Sequence, residues 1–295
     1  MPMTALYFRH RRPADYGTTV GTTTINRRGT QLLRRVLNGA MGNLGGPSGD
    51  QDYAVVYSPN EPSFAVGGLA MSGGAGAVGG IINGVTVTAT FASSDINSCG
   101  LVAAAINASA NALVQGFVTA NNLSATLTLT SVAAGATVDI CGYRFTATTG
   151  TPAAIVSGGN LFNFDVSGND TADATALVAA INAAPGLSRY VSAVSTTNVV
   201  RVFARQYLFS GTATFTWPTA PGTPTNTLVS QASSIVASAA SLAASAFVGI
   251  NACIPGVAGN AITLALSGTG VTVIGGGARL ALGTGLNVVS VVDAS

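Results

Sequence analysis

One short stretch is written twice in this chain: "SCGLVAAAINASANA" at 98–112 and "ADATALVAAINAAPG" at 172–186. Leu177, Val178 and Ile181, with Val102 and Ile106 as their first-copy counterparts, fall at i, i+1 and i+4. That spacing makes a single narrow apolar stripe. Most of the remaining surface is Ala, which has the best helix propensity and loses no side-chain entropy. A helix of this kind can lie close against a sheet. Asn107 and Asn182 follow at its C-terminal end, where Asn tolerates the left-handed conformation that stops a helix. Asp95, and Asp170 or Thr171, stand where N-caps are expected.

Each copy is flanked by Thr-rich alternation, the mark of a half-buried strand. "GVTVTAT" at 84–90 matches "GYRFTAT" at 142–148. The helix copies are spaced further apart than these strand copies, so the second copy carries an insertion, "GTPAAIVSGGNLF". Returning strands or hairpins are expected at 116–131 and 189–205, the latter turning near Thr197-Asn198. A single β-α-β unit buries too little to be stable alone. The fold class expected is therefore α+β and β-rich: two to three small antiparallel sheet modules, each with one Ala-rich helix, plus an extended N-terminal arm.

The domain boundaries follow. Residues 1–50 read as a basic arm and linker, with a short helix around 30–38. Residues 51–81 read as short strands and a Gly-rich joint, "LAMSGGAGAVGG". The first module spans 82–131 and the second 132–210. Residues 211–295 read as a degenerate third module, with "LVSQASSIVASAASLAASAFVGI" at 228–250 holding its helix, followed by C-terminal strands.

Charge is scarce and unevenly placed. Charged residues make up 7% of the chain, against roughly 25% in an average soluble protein. Residues 1–35 hold seven arginines, Arg9, Arg11, Arg12, Arg27, Arg28, Arg34 and Arg35, against Asp15 alone, a net +6. The remainder has five arginines and nine acids, a net −4. Mean hydropathy is +0.49, but no window of about 18 strongly apolar residues exists. The 228–250 stretch is broken by Gln231 and six serines, so a membrane span is not expected. No secretory signal follows the basic start, and synthesis in a cytoplasm is expected.

The chemistry of catalysis is poorly represented. His10 is the only histidine, Glu61 the only glutamate, and there is no lysine. Neither glycine-rich run ends in Gly-Lys-Ser/Thr, and neither G-x-S-x-G nor H-E-x-x-H occurs. "DVSGND" at 165–170 offers oxygen ligands but lacks a closing Glu. Cys99, Cys141 and Cys253 fit no metal or disulfide spacing and read as small buried thiols. Catalytic residues, metal and cofactor are expected to be absent. Tyr190, Tyr207, Phe209, Phe215 and Trp217 form the only aromatic cluster, and their alternation reads as core strand rather than exposed loop.

At this point a resemblance applies. "INGVTVTAT … LVAAAINA … VTANNLSATLTLTS" resembles the flagellin hook-IN motif. "ATVDICGYRFTAT … GNDTADATALVAAINA … VSAVSTTNVVRVFAR … GVAGNAITL" resembles a pattern of tailed-bacteriophage structural proteins. The likeness runs from about 82 to 266. In that pattern the G-x-x-G-N element follows the hairpin closely, whereas here residues 206–255 intervene.

The resemblance implies a non-enzymatic virion protein, made in the host cytoplasm. It would be tail-associated (tube, sheath or baseplate), with a capsid decoration protein or a receptor-binding surface fibre as alternatives. Its expected partners are copies of itself, as a homo-oligomer, and other virion proteins. Nucleic acid and membrane are not expected. The arginine arm, with apolar Tyr7, Phe8, Tyr16, Leu32, Leu33, Val36 and Leu37 interleaved, reads as a segment that docks on a neighbouring subunit.

Overall fold

The computed structural model describes residues 63–150, 161–184, 186–205, 217, 224–275 and 277–283, and the backbone of five short strands nearer the chain ends. The chain divides into two units, residues 1–59 with 288–295, and residues 60–287. In the first unit, β1 (Ala5–Arg9) and β17 (Ser290–Asp293) flank β4 (Asp52–Val56), all antiparallel, and β2 (Thr19–Val20) pairs with β3 (Thr23–Thr24). The helix expected around 30–38 and the linker at 39–50 lie outside the described residues.

The second unit is α+β and β-rich. Its elements run β5 (Phe64–Ile82), β6 (Val85–Thr90), α1 (Asp95–Asn107), β7 (Val118–Leu129), β8 (Thr137–Ile140), β9 (Tyr143–Thr148) and β10 (Leu161–Asp165). There follow α2 (Asp170–Ala183), β11 (Val191–Thr196), β12 (Val199–Ala204), β13 (Leu228–Ser230), β14 (Ile235–Ala237), β15 (Ala243–Pro255) and β16 (Leu264–Ile274). Both Ala-rich helices form where the repeats place them. Val102 and Ile106 of α1, and Leu177, Val178 and Ile181 of α2, are buried. The caps sit one residue earlier than expected: the Ser94 and Asn169 side chains accept from the N–H groups of Asn97 and Ala172.

Asn107 and Asn182 do not end their helices in a left-handed turn; the residues after α1 and α2, Ala108 and Ala184, are right-handed and extended respectively. Each Asn amide instead bonds the backbone of a returning strand. Asn107 Nδ2 donates to Ala120 O at 2.8 Å and its Oδ1 accepts from Ala120 N at 2.9 Å. Asn182 repeats this with Ala193, at 2.9 and 2.8 Å. A helix-to-strand hydrogen bond outweighs the local preference because the strand groups must be satisfied wherever they are buried.

The two repeats share a sheet. β12, from the second copy, pairs antiparallel with β7, from the first. The strand order is β11-β12-β7-β15-β5-β16, with β14 on β7 and β6 on β5. A second sheet, β10-β9-β8-β13, is antiparallel except for the parallel pair β10–β9. Helix α1 packs on β5, β6, β7 and β15, and α2 on β10, β11 and β12.

Two expectations are corrected. The Gly-rich run at 69–80 is a sheet corner within β5, not a loose joint. Leu69 lies over Gly80, yet the two would be about 36 Å apart in a straight strand. Gly73 and Gly76 make the bend, with φ of 65° and 68°. The β16 ladder slips register at the same place, between Ser267 and Val271. Strands that pass from one layer to another turn such corners by bends and bulges. Second, the stretch expected to hold a third helix is β13, β14 and the start of β15. Its serines bond locally, as Ser230 Oγ does with Ala232, which competes with helix. Its backbone completes the sheets: Thr130 N donates to Ser234 O, and Ser238 N to Thr126 O.

Candidate functional site

The arm residues Arg11, Arg12, Arg27, Arg28, Arg34 and Arg35 lie outside the described residues; Arg9 closes β1, where only backbone is described. Of the aromatic cluster, Tyr207, Phe209 and Phe215 also lie outside them. Trp217 is half-buried, tilts against Tyr190 at 6.4 Å between ring centroids, and donates Nε1–H to Pro224 O at 2.8 Å. This pair belongs to the edge of the core.

The described carboxylates hold structure. Asp95 accepts from the N–H groups of Gly73 and Gly74, at 3.0 Å each, and so pins the corner of β5 to the first turn of α1. Asp139 forms two 2.8 Å bonds with Arg144, and this guanidinium, ahead of any other influence, holds its pKa below the usual value. Asp165 accepts from Ser167 N and Oγ, which lowers its pKa. Asp170 accepts from Ser131 N at 2.7 Å. Asp173 is buried, and its Oδ1 has no hydrogen-bond partner among the described residues. Burial first, then the charge of Asp170, raises its pKa. Among the described residues, no three His, Cys, Asp or Glu side chains gather as metal ligands.

Two further arginines of the body are likewise engaged. Arg201 stands over the Phe247 ring at 4.7 Å and bonds Ser124 Oγ. Arg205 is buried 3.5 Å over the Phe64 ring and donates to Ser188 O. The thiols of Cys99 and Cys141 are buried, which pushes both pKa values up to about 12. Cys253, expected to be buried, is exposed; it lies near the end of β15, two residues before Pro255.

One cleft opens between Asn83, Phe117, Ala258 and Ile262, with a volume of about 160 Å³. Pockets for organic ligands run to roughly 300–1,000 Å³, so this cleft is small beside them. Around it the surface is apolar: Leu113, Phe117 and Val257 are 51%, 42% and 57% exposed. Further large apolar side chains stand out elsewhere, among them Val236 and Leu266. Among the described residues, the arrangement provides apolar contact surface and sheet edges. Sequence reasoning missed these positions because an exposed Leu or Val carries the same letter as a buried one.

No protein-family model, curated protein or solved structure matches the chain.

Proposed function

We propose that this protein is a non-enzymatic structural component of a tailed-bacteriophage virion, tail-associated, that works by self-assembly and by contacts with other virion proteins. The observation that carries the reading is the contrast on the surface of the second unit. Asp95, Asp139, Asp165 and Asp170 and several arginines are occupied within the fold, while large apolar side chains are left in water. Interface cores are depleted in charge in this way, and a sparsely charged surface associates readily. The repeated unit and its resemblance to hook-IN and tail modules supply the setting. In this reading the arginine arm reaches a neighbouring subunit, and the protein resides in the virion after synthesis in the host cytoplasm.

Electron microscopy of the purified chain tests this. Rings, tubes or sheets are expected, together with the chain's presence in intact particles by mass spectrometry. A discrete monomer or trimer with glycan affinity would point to the fibre alternative, and turnover of polysaccharide to an enzyme.

A further inference from the structure

We infer that the outer edge of β6 pairs, antiparallel and about a two-fold axis, with the same edge of a second copy. The inference rests on the self-association proposed above and names the strand that carries it.

The geometry starts at the turn. β5 and β6 are joined by the two residues Asn83 and Gly84, with φ of 50° and 80°, as the tight hairpin turn requires. Ile82 and Val85 flank that turn in register, so they exchange the first pair of ladder bonds. Pairing then alternates: Val85, Val87 and Ala89 bond towards β5. Phe91 keeps the same sense, its N–H donating to Gly76 O at 2.7 Å. Thr86, Thr88 and Thr90 therefore direct their N–H and C=O groups away from β5. Among the described residues nothing bonds to these groups.

Two other open stretches of the same sheet are closed by side chains, and the remaining edge strand, β16, is broken by register slips between Ser267 and Val271. Ala193 faces away from β12 and Ala120 away from β15, and in each case the amide of Asn182 or Asn107 takes the place of a further strand. β6 has no such plug. It also has no charge, proline or bulge from Val85 to Thr90, the devices that keep an edge from pairing. Val87 is buried on the core side, whereas Thr86 and Thr90 are exposed.

A second copy suits this edge. Two-fold pairing sets Thr88 opposite Thr88 and Thr86 opposite Thr90, with no like charges facing, and cross-strand Thr pairs are favourable. The contact is isologous and closes on itself. A strongly charged partner strand would meet no opposite charge there.

Sedimentation of the full-length protein tests the pairing. Thr88→Pro removes one outward N–H from each copy and no bond to β5. Self-association should weaken about tenfold or more, with the melting temperature unchanged at dilutions where the parent is monomeric. Thr88→Lys keeps the backbone and places two like charges on the axis; the same weakening is expected. In a Cys253→Ser background, Thr88→Cys should cross-link to a covalent dimer under diamide, since paired Cα atoms about 5.5 Å apart suit a disulfide. If both Thr88 variants associate as tightly as the parent, or Thr88→Cys gives no dimer, the edge is not the contact and the inference fails while the proposed function stands. A parent chain that stays monomeric at every concentration and is absent from particles overturns both.

Discussion

Asn182 holds both backbone groups of Ala193 with one side-chain amide, and Asn107 holds Ala120 in the same way. The same device recurs within 211–295, the stretch read as a degenerate third module. Asn226 pairs with Leu242, at 3.0 Å in both directions, and Asn260 with Gly283 at 3.0 and 2.9 Å. A primary amide carries a donor and an acceptor side by side, so it can stand in for one residue of a strand.

Removing the amide exposes the difference between the two repeats. Asn182 and its bonds are buried, whereas those of Asn107 are part-buried. Asn182→Ala should cost about 2–4 kcal/mol, since two buried backbone groups lose their partner. Asn107→Ala should cost less, because water can reach the freed groups. Urea melts of the two variants check the order.

The rings of Phe203 and Phe247 meet edge to face, 5.5 Å apart, and they occupy the space that side chains at Gly249 and Gly68 would need. Gly249→Ala should therefore destabilise by about 1–3 kcal/mol. Adding Phe203→Leu should recover part of the loss, a coupling that a double-mutant cycle measures. Equal and additive losses would show that the ring is not what excludes the methyl.

Asp173 should make stability depend on pH in an unusual sense. Its folded pKa is raised above the ordinary 3.8, so the folded state retains the proton when the unfolded chain has lost it. The stabilising contribution of the protonated form is complete below the unfolded pKa and is lost as pH rises to the folded value. Asp173→Asn should be more stable than the parent at neutral pH, and the gap should close towards pH 4. Thermal melts across that range test the sign.

Asn251 is fully buried, and neither of its amide atoms has a hydrogen-bond partner among the described residues; nothing in the structure explains why an amide stands there. Replacing it with Leu, a side chain of similar reach, removes an unsatisfied buried group. A gain of about 1 kcal/mol is expected, read from the denaturation midpoint.

Thiol labelling separates the cysteines. Cys253 is exposed and should react with a maleimide in the native protein, although partial burial also raises its pKa and slows the reaction. Cys99 and Cys141 should react only on unfolding, so native protein takes up one label and denatured protein three.

The repeats made both helices legible, with their buried stripe at Val102, Ile106, Leu177, Val178 and Ile181, and also the hairpin turning at Thr197-Asn198. These are local matters. Spacing of apolar residues sets which side of a helix is wet, and turn residues accept a φ that others resist. The fate of 228–247 and of the glycines at 69–80 was decided elsewhere in the chain. Serine and alanine suit a helix or a strand, and the open backbone groups of β7 and β8 selected the strand. Glycine suits a hinge or a corner, and Asp95 together with Leu69 selected the corner. Tertiary structure alone also turned Asn107 and Asn182 from helix ends into strand partners. A short polar side chain bonds whichever backbone group is left unpaired within its reach, and only the packed fold determines which group that is.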